Sequence, residues 1–415
     1  MSCHGNAAPG LPMPCRLAAL GIVTPLGCGV AENRAGLIAG DRRGIIPRDD
    51  LVADARRYFG VVTASLPPLP PDLARYDCRN NRIALLALRE IHDALAAAKQ
   101  AYGPRRIAVV MGSSTSGFEE AERAFVSRAA SGALPPQFDL AQLEFGGLSD
   151  FVAAAAAVTG PAYAISTACS SGAKALVSAR ALLQLDLCDA VIVGGVDTLC
   201  RFTANGFASL SAMSAGLTNP MSNNRDGLNL GEGGALFLMT REVGGVQLLG
   251  AGESSDAHHM SAPHPQGAGA RAAMAAALAD ARLAPEAIAY LNLHGTGTPL
   301  NDASESMAVA ALFGLALPCS STKPLTGHTL GASGAIEAGF LWLLLTGDRR
   351  AVPLPPHRFD GVRDDDLAAL RLVGEGERLE LAGGQALMSN SFGFGGSNCS
   401  LVLGGGAMQP AGEER

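Results

Sequence analysis

The chain is predicted to fold as α/β, and three observations predict it. Strand-like runs, glycine-rich turns and helical runs alternate along nearly its whole length. Of its 415 residues 48% are hydrophobic and 17% charged, which supplies a large buried core. No apolar run approaches the length needed to span a bilayer, and the bulkiest, residues 340–345, follows Glu337 closely.

Taken in order, residues 1–14 are polar and rich in glycine and proline. They have no positively charged stretch ahead of an apolar one, so they read as a loose N-terminal tail and not as a signal peptide. Arg16 to Ile22 reads as a strand, Thr24-Pro25-Leu26-Gly27 as a turn and Val30 to Ala39 as a short helix. After the proline-rich stretch 67–71, a helix is expected over Asn81 to Lys99. A strand at Ile107 to Met111 then ends in the small-residue loop 112–117. Ala162 to Ile165 is extended, the run from Gly172 to Leu187 has helical spacing, and Asp189 to Gly195 returns as a buried strand. Residues 199–225 read as mostly irregular, and Gly231-Glu232-Gly233-Gly234 leads into a strand from Ala235 to Met239.

Gly244-Gly245 is the expected join between an N-terminal half, 15–245, and a C-terminal half, 246–415. The second half repeats the alternation. Strands are expected at Val246 to Leu249, Ala289 to Leu293, Ala386 to Met388 and Cys399 to Leu403. Helices are expected at Ala270 to Ala281, Ala303 to Phe313 and Ala335 to Leu345. The halves share the order of their elements and no visible residue-by-residue repeat.

Several function classes fall away. A net charge of −7 with no basic run disfavours nucleic acid and anionic membrane as partners. Aromatic residues at 5%, with one tryptophan, disfavour base stacking. Nine scattered cysteines with no Cys-x-x-Cys pair disfavour both a disulfide framework and a zinc cage, and a reducing cytoplasm fits them best.

Four turns carry the chemistry. Ser166-Thr167-Ala168-Cys169-Ser170-Ser171-Gly172 joins a strand to a helix, so Cys169 meets unpaired N–H groups at a helix N-terminus, which favours thiolate. His294-Gly295-Thr296-Gly297-Thr298-Pro299 puts His294 at the carboxyl end of a strand, where ligands of open α/β sheets gather. Asp302 and Glu305, three residues apart, resemble a capping box for the next helix. Lys323-Pro324-Leu325-Thr326-Gly327-His328 constrains a lysine and a histidine in one loop, with Glu337 an isolated charge among apolar neighbours beyond it. Asn390-Ser391-Phe392-Gly393-Phe394-Gly395-Gly396 lies between two strands. A dinucleotide fingerprint needs a helix there, so exposed N–H groups facing a developing oxyanion are the better reading, with Phe394 free to swing between its glycines.

These four motifs, in this order over about Leu17 to Leu403, resemble those of β-ketoacyl-acyl-carrier-protein synthases of the elongating KAS II-like type, within the thiolase-like condensing enzymes. The resemblance implies a five-layer αβαβα fold of two similar halves, with Cys169 facing His294 and His328. It implies that Cys169 accepts an acyl group and that the histidines stabilise the enolate from malonyl decarboxylation. Lys323 and Glu337 would support the site, and Phe392 and Phe394 would provide a gate and an oxyanion N–H beside that of Cys169. Ser114, Thr115, Thr296 and Thr298 would line the substrate pocket; Ser113 to Ser116 stand where the family often has a bulky aliphatic residue. No cofactor is implied, because substrates arrive on the phosphopantetheine of acyl carrier protein. The implied partners are that carrier protein, its acyl and malonyl thioesters and a second subunit, identical in a homodimer or related in a heterodimer. The family's basic cluster for the carrier is reduced here to Arg79 and Arg82. Residues 199–202, 205–207 and 258–260 resemble ketosynthases of secondary-metabolite clusters, the aryl-polyene type among them. The alternatives are a chain-length factor, which would lack the nucleophile, and a coenzyme A thiolase, whose second cysteine would have to be Cys399.

Overall fold

The computed structural model describes residues 14–53 and 55–405, so the expected tail lies outside the described residues apart from Pro14. Ten strands carry the architecture: β1 (Cys15–Thr24), β2 (Ile107–Gly112), β3 (Ala162–Ile165), β4 (Ala190–Asp197), β5 (Gly233–Thr240), β6 (Val246–Ser255), β7 (Ile288–Asn292), β8 (Pro318–Ser320), β9 (Ala386–Gly393) and β10 (Ser397–Gly405). The pieces Gly27–Cys28 and Arg371–Leu372 complete one twelve-stranded sheet with them. Across the first five the order is β3-β2-β4-β5-β1, and across the second five β8-β7-β9-β10-β6. In each group the three strands on the outer side run parallel and the last two pairings are antiparallel. The two halves therefore repeat one topology. They meet through β1 and β6, whose pairing spans only Cys15 with Leu248 and Arg16 with Gln247.

Ten helices cover and separate these strands: α1 (Gly29–Ala39), α2 (Arg79–Glu90), α3 (His92–Tyr102), α4 (Phe118–Ser131), α5 (Phe145–Ala156), α6 (Ser171–Gln184), α7 (Arg201–Ser209), α8 (Ala268–Ala281), α9 (Pro299–Phe313) and α10 (Ser333–Leu345). Helices α2, α3 and α5 bury Ile83, Leu88, Leu95 and Phe151 against one face of the first five strands. Helices α8 and α9 bury Met274, Leu278 and Val309 against the outer face of the second five. Between the two sets lie α6 and α10, whose Leu176, Leu183, Phe340 and Leu344 share one core with Val193, Phe237, Leu387 and Leu401. This is the expected five-layer arrangement. Apart from Trp342, every residue of α10 is buried, as expected for a helix covered on all sides.

The two central helices touch at their N-termini through glycine. A Cβ on Gly172 would lie 2.8 Å from the Ala335 nitrogen, and one on Gly334 would lie 2.6 Å from the Ala173 nitrogen. Only hydrogen fits at such a separation. This crossing brings the turn before α6 against the loop before α10.

Three expectations change. Residues 81–99 form two helices, α2 and α3, broken at Ile91. The stretch 199–225 contains α7, which Asn205-Gly206 conceals in the sequence. Asp302 and Glu305 cap nothing locally: α9 starts at Pro299 after Thr298, and both carboxylates are buried against the preceding turn. No helix among the described residues is long and apolar enough to cross a membrane.

Candidate active site

Cys169 sits between β3 and α6 on a turn with Ala168 at φ 52°. That left-handed conformation costs about 1–2 kcal/mol for a residue with a Cβ. Local hydroxyls hold it: Ser171 Oγ accepts from the Thr167 N–H at 2.8 Å and donates to the Ala168 carbonyl at 2.6 Å, while Ser170 Oγ donates to the Thr167 carbonyl at 2.8 Å.

The two histidines arrive from the other half. His328 Nε2 lies 3.1 Å from Cys169 Sγ, and its Nδ1 lies 2.9 Å from Ser333 Oγ at the start of α10. His294 follows β7, and its ring meets that of His328 edge-on with centroids 5.3 Å apart. Its turn is clamped by Glu305, whose two oxygens accept the N–H groups of His294 at 2.8 Å and Gly295 at 2.7 Å. Asn390 Nδ2 donates to the same carboxylate at 3.1 Å. Asp302 ties the same loop region by accepting from the Met221 and Gly297 N–H groups. Read as a cap in the sequence, the acid pair instead fixes the His294 turn across the gap between elements.

Lys323 and Glu337 form a buried ion pair, with Nζ donating to Oε1 at 2.7 Å. The second Glu337 oxygen and His294 Nδ1 are buried without a hydrogen-bond partner. Burial, reinforced by the Lys323 charge, holds both imidazoles well below the ordinary histidine pKa, so they are neutral near pH 7.

The thiol goes the other way. Burial pushes Cys169 up to about 11 despite the opposing Lys323 charge and the Phe394 and Cys169 N–H groups directed at its sulfur. The expectation of a resting thiolate is therefore overturned: loss of water outweighs the helix end, and the resting group is a thiol. Burial also lifts Glu305 to about 7.

A cavity of about 260 Å³ reaches Cys169, His294 and His328 from outside, lined also by Thr296, Thr298, Phe392 and Phe394. Thr296 and Thr298 pair their hydroxyls at 2.8 Å along its wall. Phe394 is 37% exposed at the mouth and stacks on Phe207 of α7, with centroids 5.5 Å and planes 21° apart. The Gly395 N–H donates to the Met260 carbonyl at 2.7 Å, which ties this turn to the neighbouring loop.

Ser114 and Thr115 do not border that cavity. Their hydroxyls and N–H groups, with the Ser113 hydroxyl, converge on the buried Asp197 carboxylate at the end of β4 at 2.7–2.9 Å. The expected pocket wall is thus a polar cage around one acid. Arg79 is likewise committed, its Nε donating to buried Glu232 at 2.8 Å, and Arg82 is paired with Asp77. Neither guanidinium is a free docking charge. Cys399 lies inside β10 opposite Ser391, fully buried and pushed well above the usual thiol range by burial, which is no position for a base at the site.

Sequence comparison matches residues 20–243 to the Beta-ketoacyl synthase, N-terminal domain, and residues 246–353 to the Beta-ketoacyl synthase, C-terminal domain. The chain is 35% identical over 261 residues to 3-oxoacyl-[acyl-carrier-protein] synthase 2 of Staphylococcus aureus, a match spanning 59% of this chain and 63% of that enzyme. It is 30% identical to the same-named enzyme of Coxiella burnetii over 93% of this chain and 97% of that one. Among solved structures it resembles a ketosynthase (ApeO) in complex with its chain length factor (ApeC) from Xenorhabdus doucetiae. That match has a TM-score of 0.89 and 43% identity and covers 98% of this chain and 100% of that one. A beta-ketoacyl synthase from Burkholderia phymatum matches with a TM-score of 0.85 and 28% identity over 95% of this chain and 100% of that one.

Proposed function

Because the chain belongs to the β-ketoacyl synthase family, we propose that it catalyses decarboxylative condensation of malonyl-acyl carrier protein with an acyl chain held on Cys169. The observation that carries this reading is one sulfur with the His328 nitrogen at 3.1 Å and two backbone N–H groups directed at it.

In the loading step Cys169 Sγ attacks the carrier thioester, its proton passes to His328 Nε2 and on to the departing carrier sulfur, which leaves as the thiol. Which ring nitrogen carries hydrogen depends on the tautomer: with the Ser333 hydroxyl donating to Nδ1, neutral His328 carries Nε2–H facing the cavity. Malonyl thioester next loses carbon dioxide, and the electron pair released forms an enolate whose oxygen accepts from His294 and His328. The nucleophilic carbon attacks the acyl thioester, the N–H groups of Cys169 and Phe394 hold the tetrahedral oxyanion, and the sulfur leaves as thiolate and takes up one proton from solvent. Neutral imidazoles suit this task, since each must donate a hydrogen bond without carrying full charge. Burial keeps them so, and the Lys323 charge adds to it.

The proposed partners are acyl carrier protein and a second subunit, with the reaction running in the cytoplasm and no cofactor required. The 43% likeness to a ketosynthase crystallised with a chain length factor favours a heterodimer over a homodimer, and a secondary-metabolite pathway over housekeeping fatty-acid synthesis. Cys169, His294 and His328 together favour the ketosynthase role over that of the non-catalytic subunit. Incubation with fatty acyl carrier protein is expected to add the acyl mass to the wild-type chain and not to Cys169→Ala. An intact mass unchanged by acyl carrier protein, or an adduct that persists in the variant, would remove the nucleophile assignment.

A further inference from the structure

The sequence contains no zinc motif, yet folding assembles one set of donors. Cys169 Sγ and one ring nitrogen each of His294 and His328 lie within 4.8 Å of one another, all three residues buried. We propose that these three side chains bind one zinc ion, and that zinc thereby switches the site off reversibly. Tetrahedral zinc, with Zn–S about 2.3 Å and Zn–N about 2.0–2.1 Å, spaces its ligands about 3.3–3.6 Å apart. The Cys169 to His328 pair at 3.1 Å is already near that spacing, and side-chain rotation closes the remainder. Two features orient the donors before any ion arrives. Ser333 holds His328 Nδ1, which turns Nε2 toward the sulfur, and Glu305 clamps the backbone that carries His294.

The fourth position faces the cavity that opens past Phe394, so a water completes the shell and the ion has a route in. Binding forms one Zn–S and two Zn–N bonds and releases the thiol proton to solvent; no electron is transferred. Borderline-soft zinc suits this sulfur and nitrogen set, whereas magnesium requires oxygen ligands. Positive charge on Lys323 is offset by Glu337 at 2.7 Å, so the added cation does not meet an unpaired ammonium.

Zinc binding itself depends on the geometry alone. Only its consequence, a sulfur unable to accept an acyl group, rests on the proposed condensing activity. Tag-free chain stripped with EDTA is titrated with zinc chloride against a chromophoric chelator. One equivalent at micromolar affinity or tighter is expected, weakened at least tenfold in each of Cys169→Ala, His294→Ala and His328→Ala, with no response to magnesium. Cobalt in place of zinc is expected to give a sulfur-to-metal charge-transfer band in the wild type, a reading that needs no variant. Absence of that band, unchanged zinc affinity in Cys169→Ala, or loss of binding on replacing His258, His259 and His264 in the neighbouring loop would each overturn the proposal. A chain that binds zinc but fails to accept an acyl group would overturn the condensing function and leave the metal site standing.

Discussion

At the scale of single residues, the site is governed by desolvation more than by pairing. Cys169, His294 and His328 all titrate away from neutrality because burial penalises whichever form is charged, raising the thiol and lowering the imidazoles. His357 offers the cleanest test of that principle, because it lies outside the reacting cluster. Its Nδ1 accepts the Ser321 N–H at 3.1 Å, and its Nε2 donates to the Pro220 carbonyl at 2.9 Å, an arrangement only the neutral ring satisfies. Burial pulls its pKa down to about 4. The unfolded chain takes up a proton near pH 6.5 that the native ring refuses, so this contribution to stability is full above pH 6.5 and shrinks as pH falls. Between pH 6.5 and about 4 the loss approaches about 3 kcal/mol. Denaturant unfolding at several pH values should therefore show the stability advantage of wild type over His357→Gln narrowing steadily on acidification. Parallel curves would mean that the histidine is accessible to protons in the native state.

At the scale of elements, the decisive contact is the crossing of α6 and α10, which packs the turn carrying Cys169 against the loop carrying His328 beside the hydrogen bonds that tie that loop to Ser114, Asp197 and Asn229. A methyl group at Gly334 would meet the Ala173 nitrogen at 2.6 Å and the Ala173 Cβ at 2.7 Å, and neither atom belongs to a flexible chain end. Gly334→Ala is expected to destabilise by about 1–3 kcal/mol and to lower acyl loading beyond what the unfolded fraction explains. Gly206 in α7 is the matched control: its added methyl meets nothing within 4 Å, so Gly206→Ala is expected to stabilise by about 0.5–1 kcal/mol. Equal destabilisation by both would show that helix propensity, not the crossing, controls the site. The same two glycines mark what the sequence discloses. Strands ending in glycine turns are legible because turn chemistry is local, and the four motifs at those turns name Cys169, His294, Lys323 and His328. Helix α7 is not legible, because Asn205-Gly206 lowers local propensity and tertiary contacts, including the Asn205 Nδ2–H bond to the Leu51 carbonyl and the Ala53 N–H bond to Asn205 Oδ1, stabilise it instead. Nor do Asp302 and Glu305 announce their role. Spacing along one helix cannot tell a carboxylate that caps its own N-terminus from one that reaches back to hold a neighbouring turn. Ser114 and Thr115 escape for the same reason, since Asp197 lies more than eighty residues away in sequence.

At the scale of the whole molecule, the repeated strand order leaves one long sheet with an open side. Strand β3 pairs only with β2, and its residues Ala162 to Ile165 are half-buried. The Val109 and Ser113 N–H groups donate to the Pro161 and Ile165 carbonyls, so by the alternation of a strand Ala162 and Ala164 turn their backbone groups outward. An edge of this kind, with no bulge, proline or charge to blunt it, is a pairing surface. On α7 and α4, Phe202 is 68% exposed and Phe125 48% exposed, with Phe118 and Phe138 packed against them. Such aromatic area is the kind of surface that the second subunit proposed above would cover. Ala164→Pro removes an outward donor while leaving the ladder to β2 intact, because the residue's N–H points away from it. Sedimentation of the chain, alone and mixed with its related subunit where one exists, is expected to report a dimer for wild type and monomer for Ala164→Pro, with the far-ultraviolet circular dichroism unchanged. Because Cys169 follows β3 by only four residues, loss of the partner should also slow acyl loading. A monomeric Ala164→Pro chain that loads at the wild-type rate would mean that each subunit holds a complete site.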